Sequence, residues 1–284
     1  MPIDPFLYVA LGLGVLTGRI IRWRGPALTL STNLTVAVLL FALGTSLGPT
    51  LGFETAGALL LGAGLAGLLL VLSALIARVI PHQPFPTSEG PQLSSPPVLA
   101  ISLLFVAAVV VGAVVGRYAV LPSVSILTGA LYVLLFLVGF GLVLSRKGLS
   151  LVWVPVVAAL IAAVVSAAVL TLGTGIAFQV TLAAAFGFGF YSLAGPLVTA
   201  AAGPTLGLFA FFSNFLRENL TMLSAPSIGP RVKAEGLTAM GGATSMDTTL
   251  YFITRYGDAA AGPLALASGL ILTLVASVAL PLLL

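Results

Sequence analysis

Long apolar stretches fill most of this chain, and the charged residues are confined to short segments between them. Residues 55–77, 118–145, 148–216 and 259–284 contain no Asp, Glu, Lys or Arg. A helix needs about 20 consecutive apolar residues to cross a bilayer, and each of these stretches is longer than that. The pattern therefore predicts an all-α polytopic membrane protein.

Six helices are predicted before the last third of the chain, over 5–21, 28–48, 54–79, 97–117, 123–145 and 150–172. The Pro-rich segment 80–96, which carries His82, divides them into two groups of three. We interpret this segment as a solvated linker without chemistry, within one domain that covers the whole chain.

Short motifs recur in the two groups of helices. Leu-Leu-Phe at 39–41 returns at 134–136, and Gly-Arg at 18–19 returns at 116–117. An odd number of helices in each copy inverts the second copy in the membrane, as in many secondary transporters. The motifs predict an inverted repeat of 1–79 and 97–172, and chance recurrence of Leu, Phe and Gly is the alternative.

The charges of the loops predict an orientation. Arg19, Arg22 and Arg24 follow the first helix, and short cytoplasmic loops are enriched in Lys and Arg. This loop is therefore placed inside and the N-terminus outside, which also places Arg78 inside.

The last third, 176–284, is predicted to form the substrate-site module of this domain. Its segments 176–200 and 236–256 are apolar but interrupted by glycine, proline and hydroxyl residues. Two full spans give ten helices in total, whereas two broken, re-entrant segments give about eight. The eight-span model obeys the charge rule better because it puts Arg231 and Lys233 inside, and both models put the C-terminus outside.

Three stretches of this module carry polar groups at membrane depth. The first is 187–196, where four glycine and proline residues accompany Tyr191 and Ser192. Such a segment cannot remain a straight helix, and freed backbone groups are tolerated in a membrane only inside protein or beside a cavity. We expect a broken segment that lines a site, with close helix packing at the glycines as the alternative.

The second stretch is the helix 204–225, which is predicted to end at Pro226. Asn214, Arg217, Glu218 and Thr221 follow each other at the spacing i, i+3, i+4 and i+7, so they form one polar stripe. Charged groups at this depth are costly and mark transport pathways. A structural ion pair between Arg217 and Asp247 is the alternative.

The third stretch, 241–249, begins with two glycines. We expect a half-helix to start here, with Thr244 or Ser245 as its N-cap, followed by Asp247 and Thr248. The free N–H groups of such a helix start suit a substrate carboxylate, and Asp247 suits an ammonium group. A capped loop at the membrane surface is the alternative.

Composition argues against several function classes for this chain. The chain is 60% hydrophobic and 6% charged, with no cysteine and one histidine. Neither a transition-metal site nor thiol or Ser–His catalysis is expected, and no phosphate-binding Gly-Lys-Ser/Thr loop is present. The net charge of +4 comes from loop residues, so nucleic acid is not an expected partner. We expect neither an enzyme nor a cofactor.

The three polar stretches resemble motifs of the lysine exporter LysO family, a DUF340-type family of integral membrane proteins. Residues 188–196 are similar to its Gly-aromatic-Tyr-Ser-Leu element, 211–218 to its Phe-rich Arg-Glu helix, and 242–257 to its Gly-Ala-Thr-Ser-Met-Asp-Thr-Thr stretch. The resemblance implies export of L-lysine and toxic lysine analogues through the cytoplasmic membrane. Its intramembrane acidic residues correspond to Glu218 and Asp247.

Such export needs a coupling ion. Moving one cation outward against an inside-negative potential costs about 2.3 kcal/mol per 100 mV. Proton antiport through Glu218 is our hypothesis, with a cationic amino acid and the bilayer as partners. A sodium-coupled carrier of an organic anion, a channel and a scaffold are the alternatives, and assembly into a homo-oligomer stays open.

Overall fold

The structure, a computed structural model, describes residues 5–21, 26–47, 56–81, 98–119, 121–141 and 149–284. All regular elements in these ranges are helical. The α-helices are α1 (Pro5–Ile21), α2 (Pro26–Leu47), α3 (Ala56–Val79), α4 (Val98–Tyr118), α5 (Ser123–Gly141), α6 (Trp153–Thr174), α7 (Phe178–Ala185), α8 (Tyr191–Ala202), α9 (Pro204–Gly241), α10 (Leu250–Phe252) and α11 (Gly262–Leu283). Short 3₁₀ turns occur at Leu149–Leu151, Gly242–Met246 and Ala259–Ala261, and a π-helical turn occurs at Ile253–Gly257.

The first six predicted helices are confirmed as α1 to α6, each within a few residues over its described part. Among the described residues, three helical stretches are long and apolar enough to cross a membrane: Ala56–Val79, Leu149–Thr174 and Gly262–Leu283. Large apolar side chains such as Leu60 and Val71 are exposed on the outer face of α3, as lipid contact requires. Most of the linker 80–96, including His82, lies outside the described residues.

The chain divides into two compact units, and the first holds α1, α2, α4 and α5. Two helix crossings in this unit have the same construction. Gly14 and Gly18 of α1 lie against backbone carbonyls of α5, and Gly112 and Gly116 of α4 lie against backbone carbonyls of α2. A Cβ on any of these glycines would overlap a carbonyl oxygen, so the close approach requires glycine. The matched crossings fit the inverted repeat, which stays a prediction.

The second unit holds α3 and α6 to α11. Helix α9 lies along α3: a Cβ built on Gly62 would be 2.7 Å from Phe212 Cβ. The prediction that this helix ends at Pro226 is wrong, because α9 continues through Pro226 and Pro230. Proline fixes φ at a value that suits a helix, and Gly229, between the two prolines, packs against Tyr256.

Helix α9 breaks instead at Lys233, whose φ of 59° lies in the left-handed region. The break separates a long arm, 204–232, from a short arm, 234–241, that folds back beside it. A Cβ on Gly236 would be 2.9 Å from Val232 Cβ and 4.0 Å from Ala74 Cα, which places the break near the end of α3. Gly62, near the start of α3, lies against Phe212, near the start of the long arm. Helix α3 and the long arm therefore run parallel.

The short arm begins a hairpin whose two ends meet. A Cβ on Gly257 would be 2.9 Å from Ala234 Cα, and one on Gly229 would be 2.8 Å from Tyr256 Cβ. The tip of this hairpin, 242–249, therefore lies far from the ends, beside the middle of the long arm. Helix α9 thus places its central polar side chains next to the tip.

Candidate functional site

The first break in the site separates α7 from α8, at residues 186–190. Asn214 of α9 satisfies the backbone that the break frees. Its Oδ1 accepts a hydrogen bond from the Gly189 N–H at 2.8 Å, and its Nδ2 donates to the Ala184 carbonyl at 2.8 Å and to the Ala210 carbonyl at 2.9 Å. Three of the four hydrogen bonds that an amide side chain can make are therefore used on backbone.

Arg217 satisfies the second break, which ends the short arm of α9. Its Nε donates to the Met240 carbonyl and its Nη2 to the Ala239 carbonyl, both at 2.9 Å. A cation at the carboxyl end of a helix is favourable because the last carbonyls carry partial negative charge. The ion pair of Arg217 with Asp247, considered as an alternative from the sequence, is not formed between these two described residues.

A helical segment begins only after the tip, at Leu250 with Thr249 as its N-cap residue, so the predicted N-caps Thr244 and Ser245 are wrong. Thr244 donates to the Gly241 carbonyl at 2.9 Å, and Ser245 donates to the carbonyls of Gly242 at 2.8 Å and Ala265 at 2.9 Å. Serine and threonine hydroxyls in turns commonly donate to a carbonyl three residues back instead of capping a helix. The short arm of α9 ends at Gly241, where its carboxyl end repels a carboxylate.

The backbone N–H groups of the tip are likewise engaged. The N–H groups of Asp247 and Thr249 donate to the Thr244 carbonyl, and that of Ala243 donates to the Phe188 carbonyl. The Thr248 N–H donates to Asp247 Oδ1 at 2.6 Å. The expectation that free N–H groups of 241–249 receive a substrate carboxylate is therefore not met.

Two carboxyl groups meet beside the tip. Glu218 is 2% exposed and lies close enough to Asp247 for the two to interact electrostatically. The Thr248 hydroxyl donates to Asp247 Oδ1 at 3.3 Å and also interacts electrostatically with Glu218. Two neighbouring carboxylates repel each other unless a proton or a cation lies with them, so this pair suits a cationic ligand.

Tyr191 completes the cluster from the start of α8. Its ring packs edge-on against Phe211 at 5.3 Å and Phe215 at 5.6 Å, and its hydroxyl interacts electrostatically with Glu218 and Asp247. Tyr191, Asp247 and Thr248 are half-buried, whereas Glu218 is buried behind them. We call these four residues, Tyr191, Glu218, Asp247 and Thr248, the acidic cluster.

The remaining predicted site residues have structural contacts or lie outside the description. Thr221 is buried and donates to the Arg217 carbonyl within α9. Thr244 and Ser245 stabilise the tip as described above. Ser192 lies in α8, and its side chain is outside the described part of the chain.

One residue of the site was not singled out from the sequence: Phe188, whose carbonyl joins the two breaks. Two further buried polar residues of α9, Glu235 and Asn219, were not singled out either and lie outside the acidic cluster. Glu235 and Asn219 could have been found because both are polar residues of a mostly apolar helix. Phe188 carries no such signal, because its role depends on backbone conformation.

The comparisons with known proteins agree with the motifs. A model of the family described as "Lysine exporter LysO" matches residues 106–284. The "Lysine exporter LysO" of Escherichia coli (strain K12) is 40% identical over 157 residues, which is 51% of this chain and 50% of that protein. The "Putative lysine exporter" of Haemophilus influenzae (strain ATCC 51907 / DSM 11121 / KW20 / Rd) is 31% identical over 134 residues, 46% of this chain and 65% of that protein.

The chain spans about half the length of the first of these relatives and less than two thirds of the second. No solved structure matches the chain. The family model nevertheless covers more than half of the chain, including α6 to α11 and the whole acidic cluster. This protein therefore belongs to the lysine exporter LysO family.

Proposed function

We propose that this protein is a secondary active exporter of L-lysine and toxic lysine analogues across the cytoplasmic membrane, driven by proton entry. The observation that carries the proposal is the buried Glu218 next to Asp247 and Thr248 at the tip of a broken segment. Two relatives whose names include lysine exporter support the choice of substrate.

The acidic cluster supplies a route for coupling. A carboxylate that binds either an ammonium group or a proton makes the two ligands compete, so that the release of one follows the arrival of the other. We assign this exchange to Glu218 and the first contact with an ammonium group of lysine to Asp247, which is more exposed. The tip does not take the substrate carboxylate in this proposal, because its N–H groups are engaged.

Energetics favour coupling over passive flow. Lysine carries one net positive charge, and its export against an inside-negative potential costs about 2.3 kcal/mol per 100 mV. One proton entering for each lysine leaving is electrically neutral and uses only the pH gradient. Two protons would draw on the potential as well.

For the topology we propose eight spans with re-entrant segments, and with both termini outside. The meeting ends of the hairpin 234–257 and the parallel course of α3 and the long arm support this arrangement. It places Arg78, Arg231 and Lys233 on the same side of the membrane, the inside, as the enrichment of basic residues in cytoplasmic loops requires.

The test is exchange of radiolabelled L-lysine in liposomes against unlabelled lysine, arginine, ornithine or buffer. We expect saturable exchange with lysine that Glu218→Gln abolishes. Asp258→Asn is the control, because Asp258 caps a short turn by accepting the Ala260 N–H and asparagine can do the same. If Glu218→Gln kept pH-driven exchange, Glu218 would not be the coupling residue. A requirement for sodium together with indifference to Glu218→Gln would select the sodium-coupled carrier instead.

A further inference from the structure

Two side chains of helix α9 hydrogen-bond the backbone at the two breaks of the site. Asn214 bonds the Ala184 carbonyl at the end of α7 and the Gly189 N–H within the first break. Arg217, three residues further along the long arm of α9, bonds the carbonyls at the second break. Both side chains are fully buried. Because they are less than one helical turn apart, they hold the two breaks at the same level.

Phe188 connects the hydrogen bonds of Asn214 with those of Arg217. Its carbonyl accepts the Ala243 N–H at 2.8 Å, and the Arg217 guanidinium lies over its ring at 5.8 Å from the centroid. The next N–H, that of Gly189, is the one that Asn214 accepts. Each break is therefore bonded both to α9 and to the other break.

The backbone of Phe188 shows that these bonds constrain the chain. Its φ is 49°, a left-handed value that is strongly unfavourable for a bulky residue other than glycine. Such a conformation persists only when the surrounding contacts determine it, and it concentrates at functional sites. Here the contacts that determine it are those made by Asn214, Arg217 and Ala243.

We propose that Asn214 and Arg217 form a clamp that couples the two breaks into one unit and thereby positions the acidic cluster. Tyr191 follows the first break directly, and Asp247 and Thr248 belong to the tip after the second break. Their distance from Glu218 therefore depends on the clamp. In this assignment Asn214 and Arg217 are positioning residues and not ligands of the substrate, a role that goes beyond the proposed function and does not depend on which substrate is carried.

Amide hydrogen exchange in lipid nanodiscs, followed by mass spectrometry, tests the coupling without a substrate. We expect Asn214→Leu to speed exchange of the amides in 186–191 about tenfold, as loss of a buried hydrogen bond implies. Because the breaks are coupled, the same variant also speeds exchange in 241–249. Arg217→Met produces the reciprocal effect, first in 239–246 and then in 186–191.

Each variant has a matched control on the same helix. Asn219→Leu removes a buried amide whose Nδ2 bonds only the Phe215 carbonyl of its own helix, and Arg231→Met removes an exposed guanidinium that bonds the Ser227 carbonyl. Neither control is expected to change exchange in 186–191 or 241–249. If Asn214→Leu does not fold, Asn214→Ser replaces it, because a serine hydroxyl is too short to bond both the Ala184 carbonyl and the Gly189 N–H.

The clamp would be overturned if each variant sped amide exchange only in the break to which the replaced side chain is hydrogen-bonded, or in neither break. A second readout separates positioning from general loosening. Lysine should slow amide exchange in both 186–191 and 241–249 of the unsubstituted protein and of Asn219→Leu. In Asn214→Leu it should slow amide exchange only in 241–249. Protection of both segments by lysine in Asn214→Leu would contradict the proposal. If lysine protects nothing in any variant, the proposed substrate fails, whereas the coupling measured without lysine still decides for or against the clamp.

Discussion

Replacing Gly242 with alanine should weaken the contact between the two breaks. Gly242 has φ 65° and ψ −126°, a conformation that is open in practice only to glycine. Forcing a Cβ into it costs about 1–3 kcal/mol. That Cβ would also lie 2.5 Å from the Phe188 oxygen and 3.1 Å from Arg217 Nη2.

The clash adds a second cost, because the Phe188 oxygen accepts the Ala243 N–H and must move away. Leaving that buried N–H without its acceptor costs a further 1–3 kcal/mol, roughly, so Gly242→Ala should lower the free energy of unfolding by about 2–6 kcal/mol. Gly175→Ala is the control: Gly175 has φ 73°, but no atom lies within 4 Å of its Cβ position. Only the backbone cost of about 1–2 kcal/mol remains there.

The assay is equilibrium unfolding of both variants in mixed micelles, followed by circular dichroism, together with lysine exchange in liposomes. We expect Gly242→Ala to lose more stability than Gly175→Ala and to slow exchange, whereas Gly175→Ala should exchange at the rate of the unsubstituted protein. Equal losses of stability in the two variants would refute the reasoning, because the clash with Phe188 would then contribute nothing.

Three further predictions use the same two assays. Gly62→Ala should destabilise the protein by about 1–3 kcal/mol relative to Gly64→Ala, because only the first Cβ meets α9; equal unfolding midpoints would contradict this packing. Thr248→Val should raise the lysine concentration for half-maximal exchange at least about threefold by removing a hydroxyl contact of about 1 kcal/mol, whereas Thr254→Val, whose hydroxyl bonds only its own helix, should not. Tyr191→Phe should keep the unfolding free energy within about 1 kcal/mol and still weaken lysine exchange, since it preserves the ring packing and removes only the hydroxyl; unchanged exchange would exclude that hydroxyl from the site.

The positions of the first six helices could be predicted because each apolar stretch ends at glycine, proline or charged residues. The end of the helix that starts at Pro204 could not. Pro226 is a helix breaker by type, yet its φ suits a helix, and the chain reverses seven residues later at Lys233. A lysine with φ of 59° has no local signal, since the reversal depends on the short arm packing against Val232 and Ala74.

The chemistry of the site divides in a similar way. The spacing of Asn214, Arg217 and Glu218 correctly placed three buried polar residues on one helix. Glycines followed by Thr244 and Ser245 are typical of a helix start, but here their hydroxyls donate to carbonyls at the end of the short arm of α9, and the next helical segment starts only at Leu250. Sequence periodicity gives the face of a helix, whereas the direction of the neighbouring helix is a tertiary property.

Broken helices also explain why the polar residues of α9 have different tasks. Each break frees backbone carbonyls among buried residues, and such carbonyls need donors. Asparagine and arginine carry several donors, whereas a carboxylate carries none. The carbonyls of Ala184 and Met240 are accordingly bonded by Asn214 and Arg217. Glu218 cannot take over this task, so its carboxyl group stays available for a proton or an ammonium group, which is the exchange that a coupled exporter of a cation requires.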